Sequence, residues 1–72
     1  MPKIPIAKPK EVIRALERAG FYFARQKGSH RLFKKGTLRV TVPYHTKDLI
    51  PSTMRRIIEQ SGMTMEEFTK LL

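Results

Sequence analysis

The stretch FYFARQKGSHRLFKKGTLRVTV, residues 21–42, decides the fold. Its first part, residues 21–26, is rich in aromatic side chains, which suit a pleated and half-buried surface, and reads as a strand. Lys27, Gly28 and Ser29 make a turn signal, and residues 30–34 read as a second strand. A second tight turn follows at Lys35, Gly36 and Thr37. Leu38, Val40 and Val42 then alternate with Arg39, Thr41 and Pro43, the period of a strand with one face buried. Three strands joined by two turns this short imply an antiparallel meander.

Helical signals lie on both sides of the meander. The first seven residues, interrupted by Pro2 and Pro5, read as an extended lead-in. Pro9 stands where a helix can start, because a first-turn residue has no intrahelical partner for its N–H. Val12, Ile13, Leu16 and Ala19 follow at helical spacing, with Lys10, Arg14, Glu17 and Arg18 on the other side and Gly20 as the stop. After the meander, residues 44–50 read as a loop. Pro51 opens a second helix with Met54, Ile57 and Ile58 inward, and Gly62 closes it. Thr64 and Glu67 form a capping box that starts a third helix carrying Met65, Phe68 and Leu71. The expected fold class is α+β, in the order α-β-β-β-α-α. It is a three-stranded antiparallel sheet with its helices on one face and the other face open.

The chain has 72 residues, enough for one domain spanning 1–72. It has no cysteine, so disulfides and thiolate metal sites are excluded, and a reducing cytoplasm is the expected location. No targeting segment is recognisable near the N-terminus, and no apolar run approaches the ~20 residues of a membrane span. No membrane role is expected. Fifteen Lys and Arg against six Asp and Glu leave a net charge of +9. The imbalance is concentrated: Arg18, Arg25, Lys27, Arg31, Lys34, Lys35, Arg39 and Lys47 occur with no acid between Arg18 and Lys47. One uninterrupted basic stretch on a small domain points to a polyanion, nucleic acid first. The alternative is a solvated surface without a partner.

Most catalytic apparatus is missing from the sequence. There is no thiol nucleophile, no glycine-rich phosphate loop and no carboxylate pair in the basic centre. His30 and His45 lack a third ligand at usual spacing, so neither a metal nor another cofactor is expected. What remains is His30, flanked by Lys27 and Arg31. RNA supplies its own nucleophile, the 2′-hydroxyl, so one imidazole to move a proton and cations to steady the phosphorane can suffice. From spacing alone, His30 reads first as an exposed strand histidine that only contacts RNA or water, and second as a catalytic group. Gly28 permits close approach of backbone to phosphate or simply serves the turn. Ser29 either contacts phosphate or caps that turn. His45, beside Tyr44, is either a second proton-transfer or stacking group or a loop histidine.

The residues Lys8-Pro9-Lys10-Glu11-Val12-Ile13-Arg14-Ala15-Leu16 followed by Ala19-Gly20-Phe21 resemble the opening of the HicA (YcfA-like) toxins. Arg25-Gln26-Lys27-Gly28-Ser29-His30 is similar to that family's central motif, and Val42-Pro43-Tyr44-His45 and the two C-terminal helices resemble the rest. The resemblance implies a double-stranded-RNA-binding-like fold, which agrees with the element order above. It implies ribosome-independent cleavage of mRNA that arrests growth, and neutralisation by a HicB-type antitoxin. It places the catalytic histidine at His30. On this reading Lys27, Gly28, Ser29, Arg31, Lys34, Lys35, Arg39 and His45 make the RNA contacts, and the toxin alone is a monomer. Two other classes compete. One is a non-catalytic double-stranded-RNA-type binding module. The other is a structural partner that presents an exposed apolar patch, to which the consecutive Phe21, Tyr22 and Phe23 would contribute.

Overall fold

The structure, a computed structural model, describes residues 4–72. Met1, Pro2 and Lys3 of the expected lead-in lie outside the described residues. The elements follow in the order α1 (Pro9–Arg18), β1 (Tyr22–Lys27), β2 (His30–Lys35), β3 (Leu38–Pro43), α2 (Pro51–Ser61) and α3 (Met65–Leu71). This is the expected α-β-β-β-α-α order, with a three-stranded antiparallel sheet in the order β1-β2-β3. The first strand sits one residue later than its composition suggests. Phe21 is spent at the helix–strand junction, where it is buried and its N–H donates to the Leu16 carbonyl at 2.9 Å.

Both hairpins turn on two residues, Gly28-Ser29 and Gly36-Thr37. In each the glycine comes first and takes φ +59°. A positive φ at the first central position is the type II′ arrangement, whose twist matches that of the flanking strands and which glycine adopts without strain.

Strand register divides the sheet into two faces. Phe23, Phe33 and Val40 stand side by side on one face, followed on the same face by Gln26, Arg31 and Val42. The helices cover this face over β2 and β3. Phe33, Val40 and Val42 are fully buried with Val12, Ala15 and Leu16 of α1, Met54, Ile57 and Ile58 of α2 and Phe68 of α3. Cover stops short of β1. Phe23 remains 52 % exposed and meets Phe33 edge-on, with ring centroids 5.9 Å apart.

The helix ends are tied down by specific groups. Lys35 Nζ donates to the Ala19 carbonyl at 2.6 Å, capping the last turn of α1. Arg18 Nη1 donates to the Leu71 carbonyl at 2.5 Å and joins α1 to α3. The predicted capping box is present: Glu67 N–H donates to Thr64 Oγ1 at 3.1 Å, and Thr64 N–H to Glu67 Oε1 at 2.9 Å. That backbone hydrogen bond, helped by the Thr64 side chain and by Lys70, lowers the Glu67 carboxyl from the ordinary carboxylate range.

Two outcomes are expected. Phe33→Ala leaves a cavity in the core and costs about 3–5 kcal/mol, a large share of the stability of a domain this small. Denaturant unfolding should show it, with the half-exposed Phe23→Ala losing much less. Because Glu67 ionises more readily folded than unfolded, its contribution is complete above the usual carboxylate pKa and fades as pH falls through the lowered one. Amide protection factors in α3, corrected for the intrinsic pH dependence of exchange, should therefore fall on acidification. Thr64→Ala should cost about 1 kcal/mol and weaken that acid response without abolishing it, because the backbone N–H at position 64 still donates to Glu67.

Candidate active site

The outward face of the sheet carries three cross-strand rows. Lys27, His30 and Pro43 form one, Arg25, Leu32 and Thr41 the next, and Tyr22, Lys34 and Arg39 the third. None of these residues is buried. An open groove of about 800 Å³ runs across the rows, lined by Arg25, Lys27, Gly28, His30, Leu32, Arg39, Thr41 and Gln60. A volume of that order accepts a ligand the size of a nucleotide or more. Three of its lining residues are cationic and none is acidic. His30 lies on the floor, opposite Lys27 across the hairpin, with its ring exposed.

An irregularity in β1 aims two of the cations. Phe23 pairs with Phe33, but Arg25 pairs with Leu32, so Ala24 is an extra residue in the strand. A bulge of this kind reverses the side-chain alternation beyond it. With regular pairing, Phe23, Arg25 and Lys27 would share the inner face. The bulge sends Arg25 and Lys27 to the outer face instead, into the groove with His30.

The second side of the groove comes from α2. Thr53, Arg56 and Gln60 are spaced three and four residues apart and form one stripe of the helix. With His30, Thr41 and Pro43 they line a smaller recess of about 60 Å³ beside the groove. Gln60 is held there by the edge of the sheet, where Thr41 N–H donates to its Oε1 at 3.1 Å.

The residues expected from the sequence divide between two locations. Lys27, Gly28, His30 and Arg39 meet in the groove. Arg31 does not line it. It lies on the helix-side face, half-buried, with its guanidinium 3.7 Å from the centre of the Tyr44 ring and its Nε donating to Gln26 Oε1 at 3.1 Å. Lys35 is occupied at the end of α1, as described. Lys34 shares the outer face beyond the groove lining. The Ser29 carbonyl accepts from Tyr44 N–H at 2.6 Å, so Ser29 ties the first hairpin to the segment after β3. His45 is exposed in that segment and lines neither cavity. Of the aromatic run, Tyr22 and Phe23 are exposed on opposite faces of the edge strand.

Thr53, Arg56 and Gln60 border the cavities without having been singled out in the sequence. Arg25 carried a signal in the basic run, but its direction depends on the bulge. Nothing in the sequence placed this helix stripe beside His30. Leu32 and Thr41 complete the floor. Among the described residues no helix is long and apolar enough to cross a membrane.

Residues 9–63, from the first helical position to just past α2, match the family described as "HicA toxin of bacterial toxin-antitoxin". No curated protein matches the chain. The family match takes in α1, the whole sheet and α2, and hence both sides of the groove, so the chain belongs to the HicA toxin family of bacterial toxin–antitoxin systems.

Proposed function

We propose that this toxin is a metal-independent endoribonuclease of the cytoplasm, acting on mRNA as a monomer with His30 as its proton-transfer group. The observation that carries the reading is the exposed His30 ring on the floor of a groove with cations beside it and no acid among its lining residues. The apparatus is small because the substrate brings the nucleophile. His30 in its neutral form takes the proton of a ribose 2′-hydroxyl. The 2′-oxygen attacks the adjacent phosphorus, the bond from phosphorus to the 5′-oxygen breaks, and that oxygen takes a proton from water. The products are a 2′,3′-cyclic phosphate and a 5′-hydroxyl, and His30 returns its proton to solvent. Arg25, Lys27 and Arg39 hold the backbone and offset the charge that builds on the phosphorane. Contacts of this kind fix register and carry little base information, so weak sequence preference follows. An antitoxin belongs with a toxin of this family. We assign it the HicB type and propose that it silences the toxin by covering the groove with acidic side chains.

His30→Ala should slow cleavage of labelled RNA in EDTA by about 10²–10⁴-fold, the usual worth of general acid–base help. Equal cutting by variant and wild type, or binding by the wild type without cutting, would remove His30 from the chemistry; the second result would favour a binding module. Salt provides a separate measurement. Single-stranded binding loses about 0.7 in log–log slope per neutralised phosphate, so three groove cations predict a slope near −2. Lys27→Ala should reduce it by about one such step. Arg31→Ala should leave the slope and lower stability instead, since its guanidinium is stacked on Tyr44.

A further inference from the structure

The side of the site formed by α2 has an orientation fixed by the backbone. β3 is an edge strand, and its Thr41 N–H points off the sheet toward Gln60. An N–H can only donate, so the Gln60 atom it meets is the carbonyl oxygen Oε1. The amide is thereby set one way round, with Nε2 and its two hydrogens directed away from the strand. The same side chain borders both the groove and the recess that Arg56, Thr53 and His30 share. A recess of about 60 Å³ takes several water-sized groups, the scale of the oxygens around one phosphorus and too small for a base.

We propose that Gln60 and Arg56 form a phosphate seat facing His30. Gln60 Nε2 donates to a non-bridging oxygen of one phosphodiester, and the Arg56 guanidinium supplies the charge-assisted contact to the same group. The seat holds that phosphate on the α2 side while β1 holds the neighbouring backbone through Arg25 and Lys27. A single RNA strand is thus gripped from both sides of the histidine. The reaction at this seat rests on the nuclease reading; the binding of phosphate there does not.

The test uses isotope-labelled protein, titrated with inorganic phosphate and with a short RNA whose 2′-oxygens are methylated and cannot react. The Gln60 side-chain amide and the Arg56 Nε–H signals should move saturably with both ligands. Gln60→Glu keeps an acceptor for Thr41 N–H but replaces the donor with a negative charge. It should weaken RNA binding about tenfold or more, the loss of a hydrogen bond to a charged group, with unfolding temperature and Thr41 amide exchange unchanged. Gln60→Ala should speed Thr41 exchange as well. The seat is overturned if the Gln60 amide stays still while Lys27 and His30 respond, or if Gln60→Glu binds RNA like the wild type. None of these readouts requires cleavage, so a protein that binds but does not cut would sink the nuclease reading and leave the seat standing.

Discussion

Phe33 and Val40 face each other across β2 and β3 and are buried beneath the helices, and this contact sets the direction of every other side chain in the two strands. Side chains alternate along a strand, so burying Phe33 and Val40 obliges Leu32, Thr41, Lys34 and Arg39 to point the other way. His30, three residues before Phe33, goes outward with them. A slip of one residue would drive cations into the core and put Phe33 in water, a cost that holds the register firmly. The apolar packing on one face is therefore what presents the histidine on the other.

β1 answers to a different constraint. The helices do not cover it, and its inner-face Phe23 is half exposed. A strand with so little burial tolerates an extra residue, and Ala24 is accommodated at the cost of one irregular pairing. The result is chemical as well as geometric. Beyond the bulge, the cations of β1 turn from the helix side to the groove side, and their charge is added to that of Arg39 around one imidazole.

Arg31 illustrates how charge alone misleads. It flanks His30 in the chain and carries the same charge as Lys27, yet alternation sends it to the opposite face, where Tyr44 and Gln26 engage it. Its role there is to hold the segment after β3 against the sheet, in company with the hydrogen bond from Tyr44 N–H to the Ser29 carbonyl. Lys35 is likewise diverted, to the open carbonyl at the end of α1. The cations left at the cavities are those with no structural contact of this sort to make on the inner face.

The sequence by itself determined the elements, their order and the inward stripes of the helices, but not the faces of β1 or the exposure of Leu38. Hydrophobic period, glycine at each tight turn and the Thr64–Glu67 cap are local properties, readable within a few residues. It also marked His30 and the basic run around it, because charge and imidazole are legible without a fold. Tertiary structure alone decided which cations stand beside that imidazole, since one unpaired residue at Ala24 reverses a whole half-strand and leaves no compositional trace. It alone brought Arg56 and Gln60 to His30 across some thirty residues of chain, through the packing of α2 along the free edge of β3. Alternation and helical spacing say which residues share a face; only packing says what that face meets.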